Sequence, residues 1–149
     1  MYNDILRIEN ARIMYRNFEG KESKFNAAGN RNFCVIIEDA ELAQQLNNDG
    51  WNVKVRPPRE EGDEPLHYIK VNVSFKFKPP KIVSIAGGRQ TILDEDTIAA
   101  LDYQDILNVD LEIRPYNWEN ANGTGVSGYL KTMYVTVDED SFASKYATE

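Results

Sequence analysis

Cations and aromatic rings alternate with apolar residues along several strand-like segments of this sequence. In a β-strand every second residue lies on the same side, so alternation sorts these side chains onto one face. In "YIKVNVSFKFK" that face carries Tyr68, Lys70, Asn72, Ser74, Lys76 and Lys78. Such a face can hold a polyanion, with rings stacking on bases and cations meeting phosphates, or it can be an ordinary solvated surface.

Two further segments extend this basic, aromatic face. If "WNVKVR" pairs with it as a hairpin, Lys54 and Arg56 join the same side. In "VDLEIRPYNWE" the apolar residues alternate up to Ile113, which places the following cation and rings on the opposite side unless Pro115 adds a bulge. These side chains are Arg114, Tyr116 and Trp118, with Tyr129 and Lys131 on the partner strand. A second interpretation of Tyr116 and Trp118 is that they cover the end of a barrel.

The stretch "RNFEGKESKFNAAGNRNF" is predicted to be a long loop. It carries the cations Lys21, Lys24 and Arg31, and its Gly and Ala residues permit close backbone approach. Phe18 and Phe33 are predicted to anchor its ends in the core. Phe25 lies among polar neighbours, where a simple connecting loop does not explain a large apolar ring.

The formal net charge of −7 argues against a polyanionic partner, but the charge is distributed unevenly. Residues 1–36 carry six basic residues against four acidic, and residues 51–92 carry eight against four. Residues 37–50 carry four acidic residues and no basic one, and residues 93–149 carry three basic against twelve acidic. The first and middle parts of the chain can therefore present a basic surface while the C-terminal third repels polyanions.

Residues typical of catalysis and metal binding are scarce. One histidine, His67, and one cysteine, Cys34, support neither a nucleophilic triad nor the usual zinc spacings, and Cys34 is predicted to be a buried thiol. The carboxylates at 94–96 complement a helix N-terminus, and those at 138–140 lie in a tail. We therefore predict no enzyme, no metal and no cofactor.

The apolar runs are too short to cross a bilayer and the N-terminus lacks a signal-peptide pattern, so we expect a cytoplasmic protein with no membrane partner.

Alternating apolar residues and intervening turn residues predict five or six strands. The first has an irregularity near Asn10 and Ala11, the second is apolar on both faces, and the last two form a hairpin around the Asn122-Gly123 pair. The predicted strands span residues 6–15, 32–38, 51–56, 68–78, 108–119 and 126–139.

Two short helices are predicted between the strands. Asp39 is the expected N-cap of the first, and Gly50 its left-handed stop. Asp94 is the expected N-cap of the second, where Leu93 and Ile98 have the spacing of a hydrophobic staple.

These elements predict a mainly β domain over residues 1–137, followed by an acidic, flexible tail at 138–149. The long loops and antiparallel strands favour a barrel. An open sandwich is the competing architecture.

Several short motifs follow one another between about residue 15 and residue 137. They are "F-E-G", "S-K-F-N" and "G-N-R-N-F", then a "LA..L" helix followed by "GWNVK", then "VDLEIRPYNWE" and "NGTGVSGYLKTMYV". This order resembles the single-stranded DNA-binding proteins of tailed bacteriophages. The resemblance implies an OB-fold, which is a five-stranded antiparallel Greek-key barrel, here with two short helices and long loops, that binds DNA across its second and third strands.

The resemblance also implies a function and a set of contacts. The expected function is sequence-tolerant binding of single-stranded DNA during phage DNA replication or recombination, in the cytoplasm of the bacterial host. The acidic tail would recruit replication proteins, although it lacks the closing Phe-rich acidic run of some family members. The expected stacking residues are Phe25, Tyr68, Tyr116 and Trp118. The expected phosphate contacts are Lys21, Lys24, Arg31, Lys54, Arg56, Lys70, Lys76 and Arg114. The predicted interface also includes Asn72, Tyr129 and Lys131.

A second hypothesis rests on the acidic C-terminal third of the chain. It describes a non-enzymatic structural or protein-binding β-barrel, such as a virion component or an inhibitor that mimics DNA and presents its acidic face to a basic partner. A DNA mimic does not bind DNA, so mixing the protein with single-stranded DNA separates the two hypotheses.

Overall fold

The structure, a computed structural model, describes residues 4–76 and 78–138. Within these ranges the chain forms nine strands, one α-helix and one 3₁₀ helix. In chain order they are β1 (Leu6–Ala11), β2 (Ile13–Asn17), β3 (Arg31–Ile37), α1 (Ala40–Asn48), β4 (Lys54–Arg56), β5 (Leu66–Val73), β6 (Lys81–Ala86), β7 (Arg89–Leu93), the 3₁₀ helix (Ile98–Asp102), β8 (Ile106–Asn120) and β9 (Gly123–Val137). The predicted tail beyond Asp138, and Phe77 on the predicted core face, lie outside the described residues.

The nine strands belong to one mixed sheet. Its main path runs β1-β8-β9-β5-β3-β2, while β4 pairs with β5 and the β6–β7 hairpin is attached through β6 to β9. β9 runs parallel to both β5 and β6, and the remaining pairings are antiparallel. The mainly β prediction is confirmed, but the sheet differs from the five antiparallel strands expected, both in strand number and in its parallel pairings.

The predicted first strand is divided near Asn10. This residue has a φ of 52°, a left-handed conformation that asparagine tolerates better than most residues. Its backbone N–H donates to the Asp110 carboxylate at 2.9 Å. β1 pairs with β8, whereas β2 leaves β8 and pairs with β3. The predicted irregularity is therefore a change of partner strand.

The core forms beneath β3, which is buried on both faces as its apolar sequence predicts. Phe33 packs on Phe18 with ring centroids 5.1 Å apart, and both rings are fully buried. The predicted anchoring of the long loop is thus confirmed. Cys34 and Ile36 are also buried on the opposite side of β3, and burial raises the pKa of the Cys34 thiol.

Helix α1 follows the prediction closely. The Asp39 carboxylate accepts hydrogen bonds from the N–H groups of Glu41 at 2.9 Å and Leu42 at 3.4 Å, which satisfies two donors at the helix start. Ala43 and Leu46 bury the apolar stripe. Within the described ranges no helix is both long and apolar enough to cross a membrane.

The second predicted α-helix is a single 3₁₀ segment. The Asp94 carboxylate accepts from the N–H groups of Asp96 at 2.9 Å and Thr97 at 3.1 Å, so it closes a turn ahead of the helix and does not cap it. Ile98 and Leu101 are fully buried, which shows that tertiary packing holds this short segment in place.

Strand β5 is shorter than its alternating sequence predicts, because it ends at Val73. The Ser74 hydroxyl then accepts from the Lys76 N–H at 3.4 Å, a local turn that replaces the strand ladder. Lys76 and Lys78 therefore lie beyond the strand, which corrects their predicted placement on its polar face.

The β6–β7 hairpin was not predicted. Gly87 and Gly88 occupy its two-residue turn with φ values of 56° and 80°, as expected for a tight hairpin. The two strands are only six and five residues long, so each offers little alternation on which a prediction could rest.

The terminal hairpin is confirmed, with its turn moved by one residue. Asn120 pairs with Gly123, so Ala121 and Asn122 occupy the turn in place of the predicted Asn122-Gly123 pair. Two strands of fifteen residues each follow from this register.

We predict that Gly128→Ala destabilises the fold by about 1–3 kcal/mol, because an added methyl would overpack the core. A Cβ at this position would lie 2.9 Å from Cγ2 of Ile113 and 3.0 Å from Cζ3 of Trp51. Urea denaturation measures the loss, with Ser127→Ala on the same strand as the matched control. Equal unfolding midpoints for the two variants would contradict the close packing.

Candidate nucleic-acid interface

A row of polar side chains crosses five strands on the outer face of the sheet. Directly paired residues of neighbouring strands present their side chains on the same face. The Asn72 amide also donates to the Gly128 carbonyl at 3.2 Å, which ties β5 to β9. From β2 to β8 the paired residues are Asn17, Asn32, Asn72, Tyr129 and Arg114, and we call this set the polar row.

Cations on β4 and β5 extend this face beside the polar row. The predicted β4–β5 hairpin is confirmed, with Lys54 directly opposite Tyr68. Lys70 is opposite Cys34 on β3. The predicted cations of these two strands therefore share a face with Asn72 and Tyr68.

Two tyrosine pairs lie on the same face. Tyr116 and Tyr129 meet edge to face with ring centroids 6.0 Å apart, and Tyr116 is 57% exposed. Tyr15 and Tyr68 meet in the same way at 5.8 Å, and Tyr15 is 55% exposed. Each pair offers an open ring surface to a partner.

Tyr15 was missing from the predicted interface. It has a φ of 52° at the point where β2 changes register against β3, and no feature of its type signals that conformation. Arg56 lies next to it, with Nη1 3.5 Å from the Tyr15 hydroxyl oxygen. Sequence alternation alone assigned Tyr15 to the end of a regular strand.

A pocket of about 430 Å³ adjoins the Tyr116–Tyr129 pair. Arg114 and Lys78 line it, so two cations face the same space as the two rings. Lys78 was not among the predicted contacts, whereas Lys76 was and is absent from this lining. The turn that ends β5 accounts for the difference.

Trp118 lies against its own hairpin. It pairs with Gly125, and a Cβ on that glycine would come within 2.5 Å of the indole Cζ2. Pro115 stays in register opposite Gly128, and the shift in pairing falls between Glu112 and Ile113 instead. The half-buried indole is therefore consistent with both interpretations of Trp118, as a surface on which a base stacks and as a cover over the end of a barrel.

Lys131 lies near the bulge, beside an acidic residue. Glu112 accepts a hydrogen bond from Arg7 at 2.8 Å. That bond is the main reason for the lowered pKa of Glu112, with smaller contributions from Thr132 and from the charge of Lys131. Lys131 therefore has a carboxylate among its charged neighbours.

Two predicted phosphate contacts are already paired with acids. Lys21 is 3.4 Å from Glu19 and lies 5.2 Å from the centre of the Tyr103 ring. The Tyr103 hydroxyl donates to Glu19 at 2.7 Å, and this bond chiefly lowers the pKa of Glu19. Arg31 is 3.5 Å from Glu95.

The long loop holds its remaining candidates in solvent. Phe25 is 89% exposed, and the Lys24 ammonium lies 5.7 Å from the centre of its ring.

No group of three or more His, Cys, Asp or Glu side chains in the described part of the chain is arranged to hold a metal ion.

One family model matches almost the whole of this chain. The family model described as "Putative phage ssDNA-binding domain" matches residues 2–149. No curated protein sequence matches this chain significantly.

Among solved structures, the single-stranded DNA-binding protein from bacteriophage Enc34 has a similar fold. Its structure aligns with a TM-score of 0.57 at 15% identity, over 93% of this chain and 83% of that one. Its complex with ssDNA aligns with a TM-score of 0.57 at 15% identity, over 93% and 89%. A C-terminal truncation aligns with a TM-score of 0.56 at 14% identity, over 91% and 87%. By the match of the family model over nearly its whole length, this chain belongs to the phage ssDNA-binding domain family.

Proposed function

We propose that this protein binds single-stranded DNA without sequence preference, along the outer face of its sheet. The observation that carries the proposal is the polar row, with a tyrosine pair on β8 and β9 and a second pair on β2 and β5. Family membership supports it, and so does the fold shared with a phage protein solved in complex with ssDNA.

The chemistry of this face suits an unpaired strand. Aromatic rings stack on any base, at about 1–3 kcal/mol for each base stacked, so binding through Tyr116 and Tyr15 tolerates sequence variation. Lys54, Lys70 and Arg114 would contact phosphates. Duplex DNA also presents phosphates, but its bases are hidden inside the double helix and cannot stack on the tyrosine rings. We therefore expect preference for single strands.

The acidic net charge is compatible with this proposal because three strands of the proposed face carry no acidic residue. β3, β4 and β5 together carry four cations and no carboxylate. Since each phosphate contact releases counterions, affinity should fall steeply as the salt concentration rises.

We also propose that the main strand path closes into an OB barrel. The path begins on β1 and ends on β2, and these strands are separated in sequence by Arg12 alone. The Ile36 N–H donates to the Arg12 carbonyl at 2.9 Å, which continues the β2–β3 ladder up to the junction. One bent segment would thus join both ends of the path.

In a phage-infected cell this activity would protect single strands during replication or recombination, in the host cytoplasm and without enzymatic turnover. The tail beyond Asp138 is proposed to contact replication proteins, as the family resemblance implies.

Titration with dT oligonucleotides at low salt should quench tryptophan fluorescence, because Trp118 lies on the hairpin proposed to contact DNA. A matched duplex should bind much more weakly. Absence of any binding at low salt, with competition for a basic protein instead, would contradict the proposal and favour the DNA-mimic alternative.

Replacing both Tyr116 and Tyr129 with alanine should weaken dT binding about 5-fold to 100-fold, because at least one stacked base is lost. Tyr134→Ala is the matched control, since Tyr134 is a partly exposed ring on the same strand that lies under Lys81 and away from the polar row. Affinities are compared by fluorescence anisotropy. Equal losses for the pair and the control would count against stacking at this site.

Glu95→Gln should strengthen dT binding about twofold to fivefold at low salt, because it frees Arg31 from a competing carboxylate. The gain should shrink as salt is added. Glu41→Gln on α1 changes the net charge equally and serves as the control. The same gain in both variants would show a general charge effect and refute a local role for Arg31.

A further inference from the structure

The loop between β2 and β3 is closed by the side chain of one residue, Asn26. A single amide makes hydrogen bonds in several directions here, which fixes the backbone of a segment that would otherwise be free to move. Its Nδ2 donates to the carbonyls of Lys21 at 2.8 Å, Asn30 at 3.0 Å and Ala27 at 3.2 Å, and its Oδ1 accepts from Asn32 at 3.0 Å.

The base of the same loop is tied as well. The Asn17 amide accepts from the Lys21 N–H at 2.8 Å and donates to the Lys21 carbonyl at 3.1 Å. Gly29 donates to the Gly20 carbonyl at 2.8 Å, and a Cβ on Gly20 would lie 3.1 Å from the Gly29 backbone. The two sides of the loop are therefore in close contact.

Phe25 lies at the tip of this closed loop. Ser23 and Asn26 exchange backbone hydrogen bonds of 2.8 and 3.3 Å across a four-residue turn, and Phe25 occupies the turn with its ring 89% exposed. An exposed ring on a backbone that is already ordered loses little further entropy when a partner covers it.

The loop is joined to the polar row through Asn32. This residue pairs with Asn17 on one side and Asn72 on the other, and its amide reaches Asn26. The tip of the loop is therefore fixed relative to the strands on which we place the DNA.

We propose that Asn26 is a positioning residue for DNA binding, which holds Phe25 ready to stack on a base of the strand that crosses the polar row. The inference rests on the proposed function. Without the Asn26 amide the tip of the loop loosens while Asn17 and Gly20 still hold its base, and Phe25 has to be ordered again each time that DNA binds.

A double-mutant cycle tests this assignment. Affinity for a dT oligonucleotide is measured for wild type, Phe25→Ala, Asn26→Ala and the double variant. We expect each single change to weaken binding about 5-fold or more and the double variant to bind like Phe25→Ala, because Asn26 acts through the ring. Losses that multiply in the double variant, or an unaffected Asn26→Ala, would overturn the inference while wild-type binding still upheld the proposed function.

Limited trypsin digestion provides a readout that is independent of DNA. Cleavage after Lys24 should accelerate several-fold in Asn26→Ala while sites outside this loop keep their rates, because proteases cut loops that have opened locally. Asn47→Ala, an exposed substitution on α1, is the control and should change neither digestion nor affinity. Unchanged cleavage after Lys24, or uniformly faster cleavage at every site, would also overturn the inference.

Discussion

The parallel contact between β5 and β9 is the constraint on which the rest of the structure depends. It consists of two residue pairs, Val71 with Gly128 and Asn72 with Tyr129, and it joins the β2-β3-β5 side of the sheet to the β8-β9 hairpin. The first pair faces the core, where Gly128 leaves room for neighbouring apolar side chains. The second pair faces outward and aligns the asparagines of one side with the tyrosine and arginine of the other. The same two residues of β5 thus fix both the packing and the proposed interface.

In the aromatic pair on β8 and β9, one ring supports the other, and the supported ring is the more exposed and is presented to a partner. Tyr129 is 37% exposed and meets Tyr116 edge to face, while Tyr116 is 57% exposed. An edge-to-face contact covers only part of the presented ring and limits its rotation. Stacking on such a ring costs little side-chain entropy, and it places no demand on which base arrives. The sequence tolerance that we propose would then follow from geometry.

Much of this arrangement follows from local sequence, because alternation needs no long-range information. Alternation correctly predicted that Tyr68, Lys70 and Asn72 share one face, and the N-cap of α1 at Asp39 was also predicted from local sequence. Long-range pairing could not be predicted in this way. The end of β5 depends on a turn at Ser74, and the positive φ of Tyr15 depends on β2 changing register against β3. The acid partner of Arg31, Glu95, comes from a distant part of the sequence, and so does Tyr103, which binds Glu19 beside Lys21. Composition therefore overstated the free positive charge.

Rigid and adaptable parts would contribute differently to the proposed binding of many sequences. A sheet face with tyrosine and asparagine side chains, which have few rotatable bonds, keeps its shape, whereas lysines such as Lys70 can adjust to the path of a backbone. The long loop belongs with the rigid part in spite of its length, because the Asn26 amide links three carbonyls of the loop. Loop length is therefore a poor guide to loop freedom here. An exposed phenylalanine on an ordered backbone is what the proposed contact between Phe25 and DNA requires.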